Sequence, residues 1–217
     1  MSDKVLDPAD QARPDPSGVM CLVLAAGSST RMGDRNKLLE LVGGRAMVAT
    51  VAATALASRA DVTRVVTGDD RERVEACLSK LPVDLLWNPD HAQGLSSSLK
   101  AAVSALPDGT RAVVICLGDM PRVLPSHIDT LVRAFLADPD GSIFVPTWQG
   151  RRGNPVLWSV DVLPEFATLS GDVGAKGLMS RHPNRLREVP VDTAGILTDV
   201  DTPQTLRELK PPDEPSS

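Results

Sequence analysis

The sequence predicts an α/β protein: a mostly parallel central sheet with helices on both faces, three layers in all. Three observations lead there. Short apolar runs of strand length alternate with longer runs of helix length from residue 20 to residue 146, the pattern of successive βα units. The first apolar run, residues 20–25, passes without a break into a loop of small residues, and in open parallel sheets it is the loops at the carboxyl ends of strands that hold ligands. The chain of 217 residues is long enough for one α/β domain with a substantial core and cramped for two.

Taken in order, residues 1–17 hold three prolines and four aspartates with almost no apolar pattern, the composition of a disordered arm. The fold is expected to start at Gly18 and to run to residue 210 as one domain, with residues 211–217 a Pro-rich disordered tail. Residues 20–25 form the first strand, and residues 47–57, rich in Ala and Val, the first helix, returning the chain to a parallel strand at 62–67. A charged amphipathic helix over 70–81, a short strand at 84–87 and a helix over 94–106 follow. Next come a strand at 112–117 and a helix ending at Ala137, which Pro125 or Ser126 begins, since proline is tolerated in a first turn and serine caps well. Residues 143–146 are a further strand.

The rhythm then changes. Residues 149–155 read as a turn-rich basic loop, residues 156–158 are followed by a helix near 162–168, and Gly171 to Gly177 is glycine-rich; such material suits shaping a pocket better than extending a sheet. Residues 186–191 read as a strand, Asp199 to Pro203 as a turn, and 202–209 as a closing helix with Thr202 as cap and Pro203 in its first position.

The net charge of −5 and pI near 5.2 argue against nucleic acid as the main partner, because binding a phosphate backbone needs a basic face. No apolar run approaches the roughly 18 residues of a membrane span, and the N-terminal stretch lacks the apolar centre of a signal peptide, so a cytoplasmic protein is expected. Cys21, Cys77 and Cys116 share no metal-ligand spacing, and an odd number fits a reducing compartment; Cys21 and Cys116 read as strand core. His91, His127 and His182 are scattered and are expected in loops or at the surface rather than around a metal.

The chemistry concentrates in the loop after the first strand. Gly27, Ser28, Ser29, Thr30 and Gly33 are small, and Arg31 and Lys37 are cations spaced across the loop. Backbone N–H groups, close approach and positive charge are what a polyphosphate needs. Five residues separate Gly27 from Gly33 and Asp34 follows, which excludes a Walker A loop, and the absent second glycine excludes a dinucleotide fingerprint. Asp119 follows the strand at 112–117, where a magnesium ligand fits, since Mg²⁺ takes one or two carboxylates together with water and substrate phosphates. Asp199 and Asp201 are a second pair of candidate carboxylates, spaced to leave one face of an extended segment, although Asp and Thr here would also serve as helix caps. Ser96, Ser97 and Ser98 open a helix with hydroxyls and backbone N–H groups able to meet the edge of a base. Arg151, Arg152 and Lys176 suit a second anionic substrate.

Five of these segments, in order, resemble one family. Leu24-Ala25-Ala26-Gly27 through Arg31-Met32-Gly33 to Lys37, Gly94 to Leu99, Gly118-Asp119-Met120-Pro121, Arg151 to Pro155 with Gly171 to Lys176, and Asp199 to Pro203 are similar to the motifs of the MobA-like molybdopterin nucleotidyltransferases, within them the molybdenum cofactor cytidylyltransferases, across about residues 19 to 209. The resemblance implies a three-layer α/β/α nucleotidyltransferase fold, GT-A-like and Rossmann-like. It implies transfer of CMP from CTP to the terminal phosphate of molybdenum-bearing molybdopterin, giving the cytosine dinucleotide and pyrophosphate. Leu24, Ala25, Ala26, Gly27, Ser28, Gly33, Ser97 and Ser98 would hold the nucleotide, the Ala25-Ala26 pair resembling cytidylyl rather than guanylyl members. Arg31, Lys37, Asp119 and Asp201 would be catalytic, the two aspartates as Mg²⁺ ligands with Asp201 preferred over Asp199, and Arg151, Arg152, Asn154, Asp172 and Lys176 would bind the anionic pterin phosphate. Asn88 would shape its loop. A monomer is expected, handing its product to a molybdoenzyme. Asn154 and Lys176 stand where the family often has His and Arg, a departure that bears on the identity of the acceptor. The alternatives to this reading are a GTP-using enzyme, a sugar or alcohol phosphate acceptor, and a nucleotide-dependent oxidoreductase or sensor on the same fold.

Overall fold

The computed structural model describes residues 17–27, 36–171 and 175–209. The first strand, β1 (Val19–Ala25), is buried along its whole length, and its alternation divides the core. Val19, Cys21, Val23 and Ala25 join one apolar cluster; Met20, Leu22 and Leu24 join another on the opposite face. A strand with both faces apolar can only be stable when both are covered, and that is what makes three layers.

A tight hairpin, β2 (Leu41–Val42) with β3 (Arg45–Ala46), leads into α1 (Met47–Leu56), whose Val48, Val51, Ala52 and Ala55 pack on the first face. The chain then runs through β4 (Val62–Thr67), α2 (Arg71–Leu78), β5 (Asp84–Trp87), α3 (Leu95–Ser104), β6 (Ala112–Leu117) and α4 (Pro125–Ala137). Two helices are shorter than their polarity pattern predicts. α2 starts after Asp70, whose left-handed φ of 53° ends the preceding turn, and stops where the Leu81 N–H bonds the Leu78 carbonyl on the way into β5. α3 closes in tighter turns at Ala105 and Leu106 because Pro107 cannot continue it.

The second part comprises β7 (Ile143–Trp148), the two-residue β8 (Arg151–Arg152), β9 (Val156–Ser159), α5 (Lys176–Met179), β10 (Leu186–Pro190) and α6 (Pro203–Leu209), with a 3₁₀ turn at Leu163–Thr168. The main sheet runs in the order β10-β7-β9-β6-β1-β4-β5, with β8 paired to β7. All pairs are parallel except those of β9 with β6 and β7 and of β8 with β7.

Residues 156–159 therefore correct the sequence reading: they extend the sheet, in its interior and antiparallel. Val156, Leu157 and Trp158 are consecutive buried residues, so neither face is polar and no alternation marks the strand. Trp158 meets Phe166 edge-on at 5.1 Å, an arrangement worth about 0.5–1.5 kcal/mol beyond its burial. That contact also explains the 3₁₀ turn in place of a helix: Leu163 and Phe166, at i and i+3, both face the sheet. β7 runs two residues beyond its expected end, to Trp148, because β8 folds back to pair with Thr147 and Trp148.

Ser17, expected in the disordered arm, is tied down: its N–H and hydroxyl both donate to Asp61, as do the N–H groups of Gly18 and Val19. His127 is also corrected. It lies in the first turn of α4 and is 2% exposed, because its ring serves as a cap: Nδ1 accepts from the Leu124 N–H at 3.2 Å, which leaves Nε2 to donate to Thr193 at 2.9 Å. His182 is half-buried on Glu165 at 2.6 Å, and His91 opens a one-turn 3₁₀ segment. No helix among the described residues is long and apolar enough to cross a membrane.

Candidate active site

The order of the strands reverses between β1 and β6: from β1 the chain builds outward through β4 and β5, then returns to place β6 on the other side. A crevice opens at the carboxyl ends of strands where such a reversal occurs. β1 delivers Ala26 and Gly27 there, and β6 delivers Gly118 and Asp119. The β1–β6 ladder continues one bond past the strands, from the Gly118 N–H to the Leu24 carbonyl at 3.0 Å, and a Cβ on Gly118 would press on that carbonyl. Glycine thus lets the two strand ends stay together while Asp119 emerges beside them.

Lys37 lies at the start of a 3₁₀ turn, Lys37–Leu39, capped by Asn36, whose side-chain oxygen accepts from the Leu38 N–H at 3.0 Å. Its ammonium donates to Asp119 Oδ2 at 2.7 Å and to Asp201 Oδ1 at 2.6 Å. Residues 82 and 164 positions away in sequence from Lys37 therefore share one cation. Burial acts to lower the Lys37 pKa, but the attraction and hydrogen bonds of Asp119 and Asp201 outweigh it and raise it above the ordinary lysine value. The ammonium is charged at neutral pH, and its contribution to the cluster is lost only as pH rises through that raised value.

Asp201 follows a 3₁₀ turn, Ala194–Leu197. It is brought in by the backbone: the Val200 N–H bonds the Asp119 carbonyl at 2.9 Å, and buried Val200 packs with Met47 and Leu206. With Val200 turned inward, Asp201 reaches Lys37 while Asp199 lines a neighbouring cleft. Thr202 caps α6 as expected, accepting from the Thr205 N–H at 3.2 Å.

That cleft has a volume of about 470 Å³. Its floor is apolar, with Leu24, Leu99, Ile115 and Trp158, and its rim carries Arg151, Arg152, Asn154 and Lys176. The structure thus gathers four of the five residues expected to bind a second substrate, from a hairpin and a short helix, at the mouth of one cavity. The two arginines differ. Arg152 Nε donates to Glu188 at 2.7 Å, whereas Arg151 has no carboxylate partner among the described residues.

On the other side of β1, Gly68 packs so tightly that a Cβ would strike both Ala26 and His91, drawing the ends of β1 and β4 and the 88–98 segment together. Ser97 and Ser98 lie there in the first turns of α3, both buried. The Ser96 and Ser97 N–H groups are already committed, to the Gly171 and Gly94 carbonyls, which removes them from the base-edge donors expected of this helix start. Leu24, Ala25, Ala26 and Gly27 are described, whereas Ser28, Arg31, Gly33 and Asp172 lie outside the described residues.

The family model for the MobA-like NTP transferase domain matches residues 21–186. The chain belongs to this family. It is accordingly a nucleotidyltransferase. It is 30% identical to the molybdenum cofactor cytidylyltransferase of Escherichia coli over 189 residues, 86% of this chain and 93% of that protein. It is 26% identical over 196 residues to the nicotine blue oxidoreductase of Paenarthrobacter nicotinovorans, covering 87% of this chain and 94% of that one. A Mycobacterium tuberculosis protein solved in complex with manganese superposes with a TM-score of 0.74 at 27% identity, covering 88% of this chain and 97% of that one.

Within this MobA-like domain the carboxylates suit a divalent cation. Asp119 Oδ1 is buried with no hydrogen-bond partner among the described residues, although Oδ2 is on Lys37. A buried carboxylate oxygen left unpaired is costly, and a bound cation would satisfy it.

Proposed function

We propose that this chain transfers CMP from CTP to the terminal phosphate of molybdenum-bearing molybdopterin, forming the cytosine dinucleotide cofactor and releasing pyrophosphate. The observation that carries the reading is the convergence of Lys37, Asp119 and Asp201 beside a cleft with an apolar floor and a cationic rim. An oxygen of the acceptor phosphate forms a bond to the α-phosphorus in line as the bond to the β-phosphate oxygen breaks, and both electrons leave with pyrophosphate. No protein nucleophile is needed, so catalysis is positioning and charge neutralisation.

Lys37 sits between the two carboxylates as the charge that meets both the α-phosphate and the incoming anion. Asp119 and Asp201 would hold Mg²⁺, which as a Lewis acid supplies charge stabilisation to the phosphoryl oxygens. Arg151 and Lys176 draw the acceptor's phosphate to the mouth of the cleft while its flat ring system lies on Trp158, Leu99 and Ile115. Asn154 and Arg152 complete the rim, with Asp172 beside them by resemblance. Gly27, Ser28, Gly33 and Arg31 receive the triphosphate, and Ala25, Ala26, Ser97 and Ser98 the cytosine. The product suits delivery to a molybdoenzyme.

Pyrophosphate release, measured with each NTP in turn and with molybdopterin or sugar phosphates as acceptor, tests the reading. Release with CTP and molybdopterin together is expected; preference for GTP, or for a sugar phosphate, overturns it. The likeness to nicotine blue oxidoreductase favours a second reading, a nucleotide-dependent oxidoreductase. Hydride transfer has no use for a lysine held between two carboxylates, and dye reduction without pyrophosphate release would be its mark.

A further inference from the structure

Asn88 follows β5 and is 1% exposed; its N–H bonds the Thr67 carbonyl at 2.8 Å. Its side-chain oxygen accepts from the Asp90 N–H at 3.0 Å. A backbone N–H can only donate, so the oxygen of the amide must face Asp90 and its NH₂ must face α3. There the NH₂ reaches Ser97 Oγ at 2.8 Å and Ser98 Oγ at 3.0 Å. An amide NH₂ can only donate too, so both serine oxygens are forced to accept. Ser97 disposes of its own proton on the Gly94 carbonyl at 2.8 Å. The proton of Ser98, a side chain only 3% exposed, has no acceptor among the described residues.

We propose that Asn88 is a specificity-determining positioning residue: by occupying one lone pair of the Ser98 hydroxyl and turning its proton away from the amide, it biases the base site toward the acceptor-rich edge of a pyrimidine. The inference rests on the proposed function in taking the base to lie against Ser98. Cytosine offers two acceptors, O2 and N3, to such a donor. Guanine offers O6 but sets two donors, N1–H and the 2-amino group, on the same edge, against which Ser98 has a proton to give and a single remaining lone pair, the other being held by Asn88. The backbone of Asp90 holds the polarity from one side and Gly94 absorbs the proton of Ser97 on the other, so the amide has a single orientation.

The test is binding of Mg-CTP and Mg-GTP by calorimetry to the full chain and to Asn88→Asp, Asn88→Ala, Ser98→Ala and the double variants, with thermal melts to show that each is folded. Asn88→Asp replaces the NH₂ by an acceptor, so Ser98 turns its proton inward. CTP affinity should fall on the order of tenfold and the preference for CTP over GTP should narrow. Ser98→Ala should cost as much, and the pair together no more than either alone, since both remove one interaction. The Asn88→Asp defect should shrink as pH falls toward 5 and the buried carboxyl regains a proton to donate; a merely structural role predicts no such recovery. If Asn88→Asp melts below the assay temperature, Asn88→Ala carries the same demand, because a Ser98 hydroxyl free to rotate must also lose the preference. Additive losses at the two positions, or an unchanged CTP to GTP ratio in both Asn88 variants, overturn the positioning role. A wild-type preference for GTP overturns the base named in the proposed function, and non-additivity on GTP in that case still supports the coupling of Asn88 to Ser98.

Discussion

The half of the sheet from β6 outward to β5 and the half from β9 to β10 are built differently. In the first, parallel strands alternate with helices, and Gly118 and Asp119 leave β6 on a ladder bond to β1. In the second, an antiparallel strand is wedged between parallel ones, the covering segments include 3₁₀ turns, and Arg151 and Lys176 stand on a two-residue strand and a four-residue helix. On the proposed function the difference separates two tasks: groups that would have to meet a phosphorus atom within a fraction of an ångström are fixed by backbone hydrogen bonds, while groups that would need only to attract an anion stand on short exposed elements.

If that division is right, the largest loss comes from the cluster of Lys37 with its two carboxylates. Asp119→Asn and Asp201→Asn keep shape and some hydrogen bonding but remove the charge, and removing preorganised transition-state stabilisation costs on the order of 10²- to 10³-fold in rate. Turnover at saturating Mg²⁺ should collapse while circular dichroism and melting change little. Normal turnover in Asp201→Asn with an earlier melt would reduce Asp201 to part of a helix start and move attention to Asp199.

A next-smaller effect tests how the second half holds the turn that leads to Asp201. Gly153 lies under the 3₁₀ turn that leads to Asp201; its N–H bonds the Pro146 carbonyl, and a Cβ there would strike the Ile196 backbone. Backbone cannot give way as a side-chain tip can, so Gly153→Ala should cost about 1–3 kcal/mol of stability and reduce turnover together with it. A variant that melts as the parent does and keeps its rate would show that this turn is less tightly held than its contact with Gly153 suggests.

Smaller again is the contrast between neighbouring arginines. Arg151→Ala should raise the acceptor KM about tenfold, near the lower end of the range for a single charged hydrogen bond, and leave kcat within a few-fold. Arg152, already paired with Glu188 at a half-exposed site, should give less, since such ion pairs are worth roughly 0–1 kcal/mol. Steady-state kinetics with varied acceptor decide it; a kcat effect at Arg151 equal to that at Asp119 would erase the division of labour.

The same division explains what could be read from the chain. The strands β1 and β6 were legible because both covered faces demand unbroken apolar runs between amphipathic helices. Asp119 was legible as a candidate because it ends such a strand. β9 escaped because an antiparallel insertion has no local signature: Val156 to Trp158 looks like any short apolar run, and only its two neighbours make it a strand. The β2–β3 hairpin is two residues a side, too short for any period to show. Asn88 looked like a loop residue because nothing in the sequence says that its amide spans from Asp90 to two serines. His127 was misjudged because burial of a histidine depends on partners, Leu124 and Thr193, of which one lies 66 residues away.

His127 also carries the smallest prediction, and it bears on how the second half is anchored. Its ring joins the first turn of α4 to Thr193, at the root of the segment that carries Asp199 and Asp201. Burial lowers its pKa below the ordinary histidine value, against a smaller opposing pull from Asp192. Because the unfolded chain then binds a proton that the folded chain refuses, stability rises with pH between the lowered pKa and about 6.5. Below that window the penalty is constant; above it both states are neutral and the full stability is present. His127→Gln keeps a donor and an acceptor without a titrating ring. It should cost about 1 kcal/mol at pH 7.5, the scale of a weakened helix cap, and less as pH falls toward 5, where the parent alone is penalised. Urea unfolding of both proteins across that range gives the difference directly. A difference that stays flat with pH would mean that the ring protonates in place without losing its hold on Leu124, and that some other contact anchors the 192–201 segment to α4.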